Sequence, residues 1–152
     1  ADAPAVHLHL SRRQLRQIYF RAWRKHGAGE SLEGAEQLIV TVALRHPEYH
    51  ALLAHPEAGE DRDWLPELGE TNPFLHMGLH IAIEEQLAID QPTGIRLHYA
   101  RLCRQCGDEH TAQHRMMECL AEMLWRAGRD GVQPDAQVYL DCLGRPGNTP
   151  HT

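Results

Sequence analysis

Apolar residues along this chain recur every three or four positions instead of alternating, which is the period of amphipathic helices. Ser11 is placed to cap a first helix running to about His26, with Leu15, Ile18, Tyr19, Ala22 and Trp23 on one stripe and Gly27 as its stop. Ser31 is placed to cap a second, through Leu38, Val42 and Leu44 toward Arg45, and Pro47 opens a short one over PEYHALLAH. Residues 56–72 are acidic and rich in Gly and Pro, so they predict a loop, pinned to the body by Trp64 and Leu65. Asn72 followed by Pro73 is the clearest start in the chain and predicts a third long helix to about Asp90. A fourth is expected from about Pro92 to Cys106, stopped by Gly107. Asp108 caps a fifth, which carries Met117, Leu120, Leu124 and Trp125 and ends near Gly128. Pro134 opens a last short helix, DAQVYLDCL.

Strand signals are nearly absent, so the fold class is all-α: a helical bundle of about four long helices plus short ones. Short links between long amphipathic helices favour antiparallel neighbours. The expected organisation is an N-terminal extension over residues 1–10, one helical domain over 11–143 and a disordered tail over 144–152.

Length and charge narrow this further. A chain of 152 residues is the usual size for one domain and buries a core without disulfides or a structural metal. No apolar run approaches the roughly 18 residues of a membrane span. The start, ADAPAVHLHLSRR, lacks the basic head and apolar core of a signal peptide. Four cysteines (Cys103, Cys106, Cys119 and Cys142) are too few for a disulfide-dense secreted scaffold, so reduced thiols in the cytoplasm are expected. The formal charge of -6 is unevenly spread. Arg12, Arg13, Arg16, Arg21, Arg24 and Lys25 fall in residues 11–29 with no acid among them, whereas residues 27–152 carry nine basic and twenty acidic side chains. One basic helix sits on an acidic body.

The most informative motif occurs twice. The third long helix carries His76, His80 and Glu84; the fifth carries His110, His114 and Glu118. Each reads H-x3-H-x3-E, 34 positions apart. Side chains four apart stack on one helix face, drifting about 40° per step, so each triplet is a ladder of two imidazoles and a carboxylate. On the fifth helix the ladder is expected on the apolar stripe with Met117, Ala121 and Leu124. On the third it is expected at the stripe's edge, beside Leu75, Leu79, Ile83 and Leu87. Two such helices separated by one connecting helix run parallel, and their ladders are then expected to face each other.

Neutral imidazole and carboxylate together suit zinc, iron, manganese or nickel, and helical bundles build metal sites from inward His and Glu. The Glu-x-x-His spacing of the di-iron bundles is missing. The expected ligands are His76, His80, His114 and Glu118, with Glu84, His110 and His50 as second choices; His46 or His50 of HPEYH is available as a further imidazole. An open coordination position would hold water for hydrolysis or O₂ for redox work, and neither the reaction nor catalysis itself is specified.

Blander readings compete. Histidines four apart on a helix are common in a chain with twelve of them, and half-buried histidines are usually just hydrogen-bonded. The ladders then belong to the core of a non-catalytic protein–protein interaction module whose basic helix or 56–72 loop meets a partner. A homodimer through an exposed basic or aromatic strip is another expectation. Nucleic-acid binding through the basic helix is weaker still: its aromatics fall where a core stripe puts them, and an acidic body repels phosphate. The string Cys103-x2-Cys106-x3-His110-x3-His114 has zinc-ligand types at the wrong spacing for a zinc finger, and a CxxC at a helix end is a poor redox motif. Cys119, near His114, is a weak candidate nucleophile. No phosphate loop, nucleophile elbow or H-E-x-x-H is present.

Three strings, HPEYHALL at 46–53, NPFLHMGLHIAIEEQLAIDQPTGIR at 72–96 and GDEHTAQHRMMECLAEMLWRA at 107–127, resemble a family of short bacterial proteins, domain of unknown function 1841. The resemblance covers roughly residues 11–143. It implies a bacterial, cytoplasmic protein without an assigned activity, and it places His50, His76, His80, His110, His114, Glu118 and Glu122 inside the family pattern. The Cys103–Cys106 pair lies outside that pattern.

Overall fold

A computed structural model describes residues 11–65 and 68–145; the expected extension over 1–10 and the tail beyond Arg145 lie outside the described residues. Among the described residues eight α-helices follow one another: α1 (Arg12–Gly27), α2 (Ala35–Leu44), α3 (His50–Ala54), α4 (Pro56–Gly59), α5 (Pro73–Ile89), α6 (Ile95–Cys106), α7 (Glu109–Asp130) and α8 (Ala136–Gly144). A 3-10 turn, Pro47–Tyr49, precedes α3. Strands are absent among the described residues, so the fold is all-α. No helix there is long and apolar enough to cross a membrane.

The capping chemistry legible in the sequence starts most of these helices. Ser11 accepts from the Gln14 amide while the Gln14 side chain accepts from the Ser11 N–H, a reciprocal box. Asn72 Oδ1 accepts from the Phe74 amide at 2.9 Å, and Asp108 Oδ1 from that of Thr111 at 2.8 Å. Two starts shift. Ser31 does not cap α2, which begins after Gly34; the left-handed φ of 54° there breaks the helix path that Ser31 would have opened. Likewise α6 begins after Gly94 (φ 91°), not at Pro92. Helix α7 runs through Gly128 and stops at Gly131, whose φ of 66° suits a C-terminal cap.

The chain groups into two compact units, one through Ile81 and one from Ala82 onward. In the first, Phe20, Val42, Ala43, Leu53, Phe74 and Met77 form the core, with Ala22, Ile39 and Val40 beside it. Phe74 is edge-on to both Tyr19 and Phe20, ring centroids 5.6 and 5.7 Å apart. The segment after α4 is pinned by a buried cation. Arg16, 2% exposed, donates to the carbonyls of Gly59 (3.0 Å) and Arg62 (2.8 Å) and lies over the rings of Trp64 and Phe74. Trp64 therefore anchors this segment as expected, whereas Leu65 is exposed and does not. A Cβ at Gly59 would lie 2.5 Å from Leu52 Cδ1, so that side chain would have to shift to admit one.

The acidic segments neutralise the basic helix. Arg12 pairs with Asp63, Arg13 with Glu60 and Asp61, Arg24 with Glu30, and Lys25 with Glu36 at 2.8 Å.

In the second unit α8 packs on α7. Arg115 and Arg101 donate to the carbonyls of Cys142 and Leu143, each at 2.9 Å, satisfying acceptors that the end of α8 leaves open. Tyr139 donates to Gln86 at 2.7 Å. Cys119 and Cys142 form a disulfide between α7 and α8, which corrects the expectation of four reduced thiols and removes Cys119 as a nucleophile. Their 23-residue separation carries no pairing signal, because only the packing of α8 on α7 brings their Cα atoms to 5.5 Å. Cys103 and Cys106 are free.

Candidate metal centre

Three imidazoles converge in the first unit. His76 and His80, one turn apart on α5, have ring centroids 4.9 Å apart at 67°. His46, just before Pro47, meets both: its ring lies 5.3 Å from that of His76 at 83° and 4.8 Å from that of His80 at 51°. The rings are tilted, not stacked, and one ligand nitrogen from each lies within 4.8 Å of the other two. Nitrogens sharing a tetrahedral zinc at about 2.0–2.1 Å stand about 3.3 Å apart.

The local sequence explains how His46 gets there. A residue before proline is driven out of the α region, and His46 takes φ -129°, ψ 72°. Helix α2 therefore ends, and the chain turns through Pro47–Tyr49 with the His46 side chain buried (7% exposed). Its Nδ1 lies 3.0 Å from Glu48 Oε2. An imidazole oriented through its second nitrogen by a carboxylate is the usual outer support of a metal ligand. The His46 contact holds the Glu48 carboxyl below its ordinary range, with help from its backbone hydrogen bond. Tyr49 stacks on His46 (5.5 Å, 19°) and sits edge-on to His76; burial, then the Glu48 charge, raises its phenol.

The other expected residues have these contacts. His50 is turned away from this group: its Nε2 is 2.7 Å from the Ala43 carbonyl, and its ring packs on Trp23 at 4.5 Å. Glu84 accepts from the Gln113 amide at 3.1 Å. His110 and His114 pair with each other in the second unit, ring centroids 4.3 Å apart. Glu118 is 72% exposed and meets Arg115 at 3.5 Å, and Glu122 holds Arg126 and Arg145.

The burial of the two ladders differs from the expectation in part. His80 is buried at 5% exposure, whereas on α7 Met117 is buried and His114 half-buried, but His110 is exposed and Leu124 is 44% exposed. The buried face of α7 runs through Ala112, Met116, Met117, Cys119, Leu120 and Ala127. Glu48 was missing from the expected set, since a carboxylate two residues after a histidine has no helix-face signature. The H-P-E string itself was the available signal, because the proline forces the turn that brings them together.

The family model of a domain of unknown function (DUF1841) matches residues 11–145. The chain belongs to this family. No curated protein and no solved structure matches the chain. All three converging histidines and Glu48 lie within the matched span.

Proposed function

We propose that this protein binds a divalent transition metal through His46, His76 and His80. What supports the reading is the mutual approach, within 4.8 Å, of ligand nitrogens from two separate segments. A ladder on one helix arises from spacing alone, but a third imidazole carrying its own carboxylate does not. Glu48 orients His46 and, by holding Nδ1–H, presents Nε2 as the donor. Three neutral imidazoles suit zinc, iron or nickel, and manganese less well for want of oxygen ligands. Three protein ligands leave a coordination position open, as in metal sites that bind and acidify water.

The test is elemental analysis of untagged protein never exposed to chelator. The expected result is close to one metal ion per chain, lost in His80→Ala and kept in His110→Ala. Metal-free protein that also takes up none of the four metals would overturn the proposal.

A further inference from the structure

A second place in the first unit combines a cavity, aromatic side chains in its wall and an arginine that makes no ion pair among the described residues. The cavity, about 510 Å³, opens beside the C-terminal half of α1, with Phe20, Trp23 and Leu53 among its walls and Gln17, Arg21 and Arg24 at its polar edge. That volume is within the range of small-molecule sites, roughly 300–1,000 Å³. Its wall is set in advance: Phe20 and Leu53 belong to the buried core, and Trp23 is held between the rings of His50 (4.5 Å) and His26 (5.4 Å).

The charges single out the ligand class. Arg12, Arg13, Arg24 and Lys25 of α1 are paired with carboxylates, and Arg16 is held by backbone carbonyls. Arg21 makes no ion pair or hydrogen bond among the described residues; it exerts only a minor pull on the Glu36 carboxylate. Arg24, one turn on, is held only by Glu30 at 3.6 Å, with both side chains at least half exposed. Such a pair is worth little in water and yields readily to a better anion. Two guanidinium groups three residues apart thus edge a cavity with Trp23, Phe20 and Leu53 among its walls, and their fork geometry suits a planar or tetrahedral oxyanion.

We infer that this cavity binds a small molecule made of a flat apolar body bearing one carboxylate or phosphate, the anion on Arg21 and Arg24 and the body against Trp23 and Phe20. The inference does not rest on the metal reading, since none of His46, His76 or His80 lines this cavity.

Calorimetry on the full chain with 1-naphthoate, 1-naphthyl phosphate and uncharged 1-naphthalenemethanol tests it. The expected result is one-to-one binding of at least one anion, with the alcohol at least tenfold weaker. Tighter naphthoate assigns a carboxylic acid, and tighter naphthyl phosphate a phosphorylated compound. Arg21→Gln should weaken the anion at least tenfold with an unchanged melting temperature, because Arg21 is exposed. Arg13→Gln, which removes a cation engaged with Glu60, should bind like the parent. No binding of either anion at millimolar concentration, equal binding of the alcohol, or full affinity in Arg21→Gln would each overturn it.

Discussion

Helices α5 and α7 carry the same H-x3-H-x3-E spacing and use it differently. On α5 the ladder is turned inward: His80 is buried, His76 half-buried, and His46 arrives from the turn after α2 to make a group of three. On α7 the buried stripe follows Ala112, Met116, Met117 and Cys119, with His114 half-buried and His110 exposed. Identical spacing fixes only that the side chains share a face. Which face a helix buries depends on what packs against it, and whether two histidines become a site depends on a third group from another segment. For α5 that group comes from a proline-forced turn; α7 is instead tied to α8 by a disulfide.

The comparison breaks most strongly at that covalent link. Replacing Cys119 and Cys142 together by Ala removes a constraint on a loop of 23 residues. The expected cost is about 3 kcal/mol, read as a lower urea midpoint of unfolding, and the parent should shift in the same direction under reductant. An unchanged midpoint would mean that helix packing alone holds α7 in its rotation.

On the α5 side the support is a single carboxylate. Glu48→Gln keeps the side-chain size but removes the charge that holds His46 Nδ1–H. Metal affinity should fall about 10- to 100-fold, while the metal-free protein keeps its melting temperature. Unaltered affinity would reduce Glu48 to an exposed neighbour of His46.

The smallest effect concerns how α7 begins. The Thr111 amide and then its hydroxyl hold the Asp108 carboxyl below its ordinary value of 3.8. A carboxyl depressed on folding contributes stability that is complete above its unfolded pKa and lost as pH falls through the lower folded one. Asp108→Asn keeps a good cap but cannot titrate. Its melting temperature should match the parent's near pH 2 to 3 more closely than at pH 7, where the parent is the more stable.

Much of this was legible beforehand. The helical period, the caps at Ser11, Asn72 and Asp108, and the stop at Gly107 are local signals, and α1, α5 and α7 start where they indicate. Gly34 and Gly94 show the limit of such reading: each competes with a plausible cap or proline nearby, and backbone conformation decides the start. Both α5 imidazoles were visible as a pair, whereas the choice of His46 over His50 was not. The two histidines sit four apart on HPEYH, yet one faces His76 and His80 while the other is drawn to the Ala43 carbonyl and Trp23.

The sequence by itself determined the all-α class and most helix limits, because periodicity and capping act over a few residues. Tertiary structure alone decided which ladder is buried, which histidine joins it, and which cysteines meet. Those outcomes depend on rotating and docking whole helices, and helix rotation is set by the combined packing of many side chains from segments far apart in the chain.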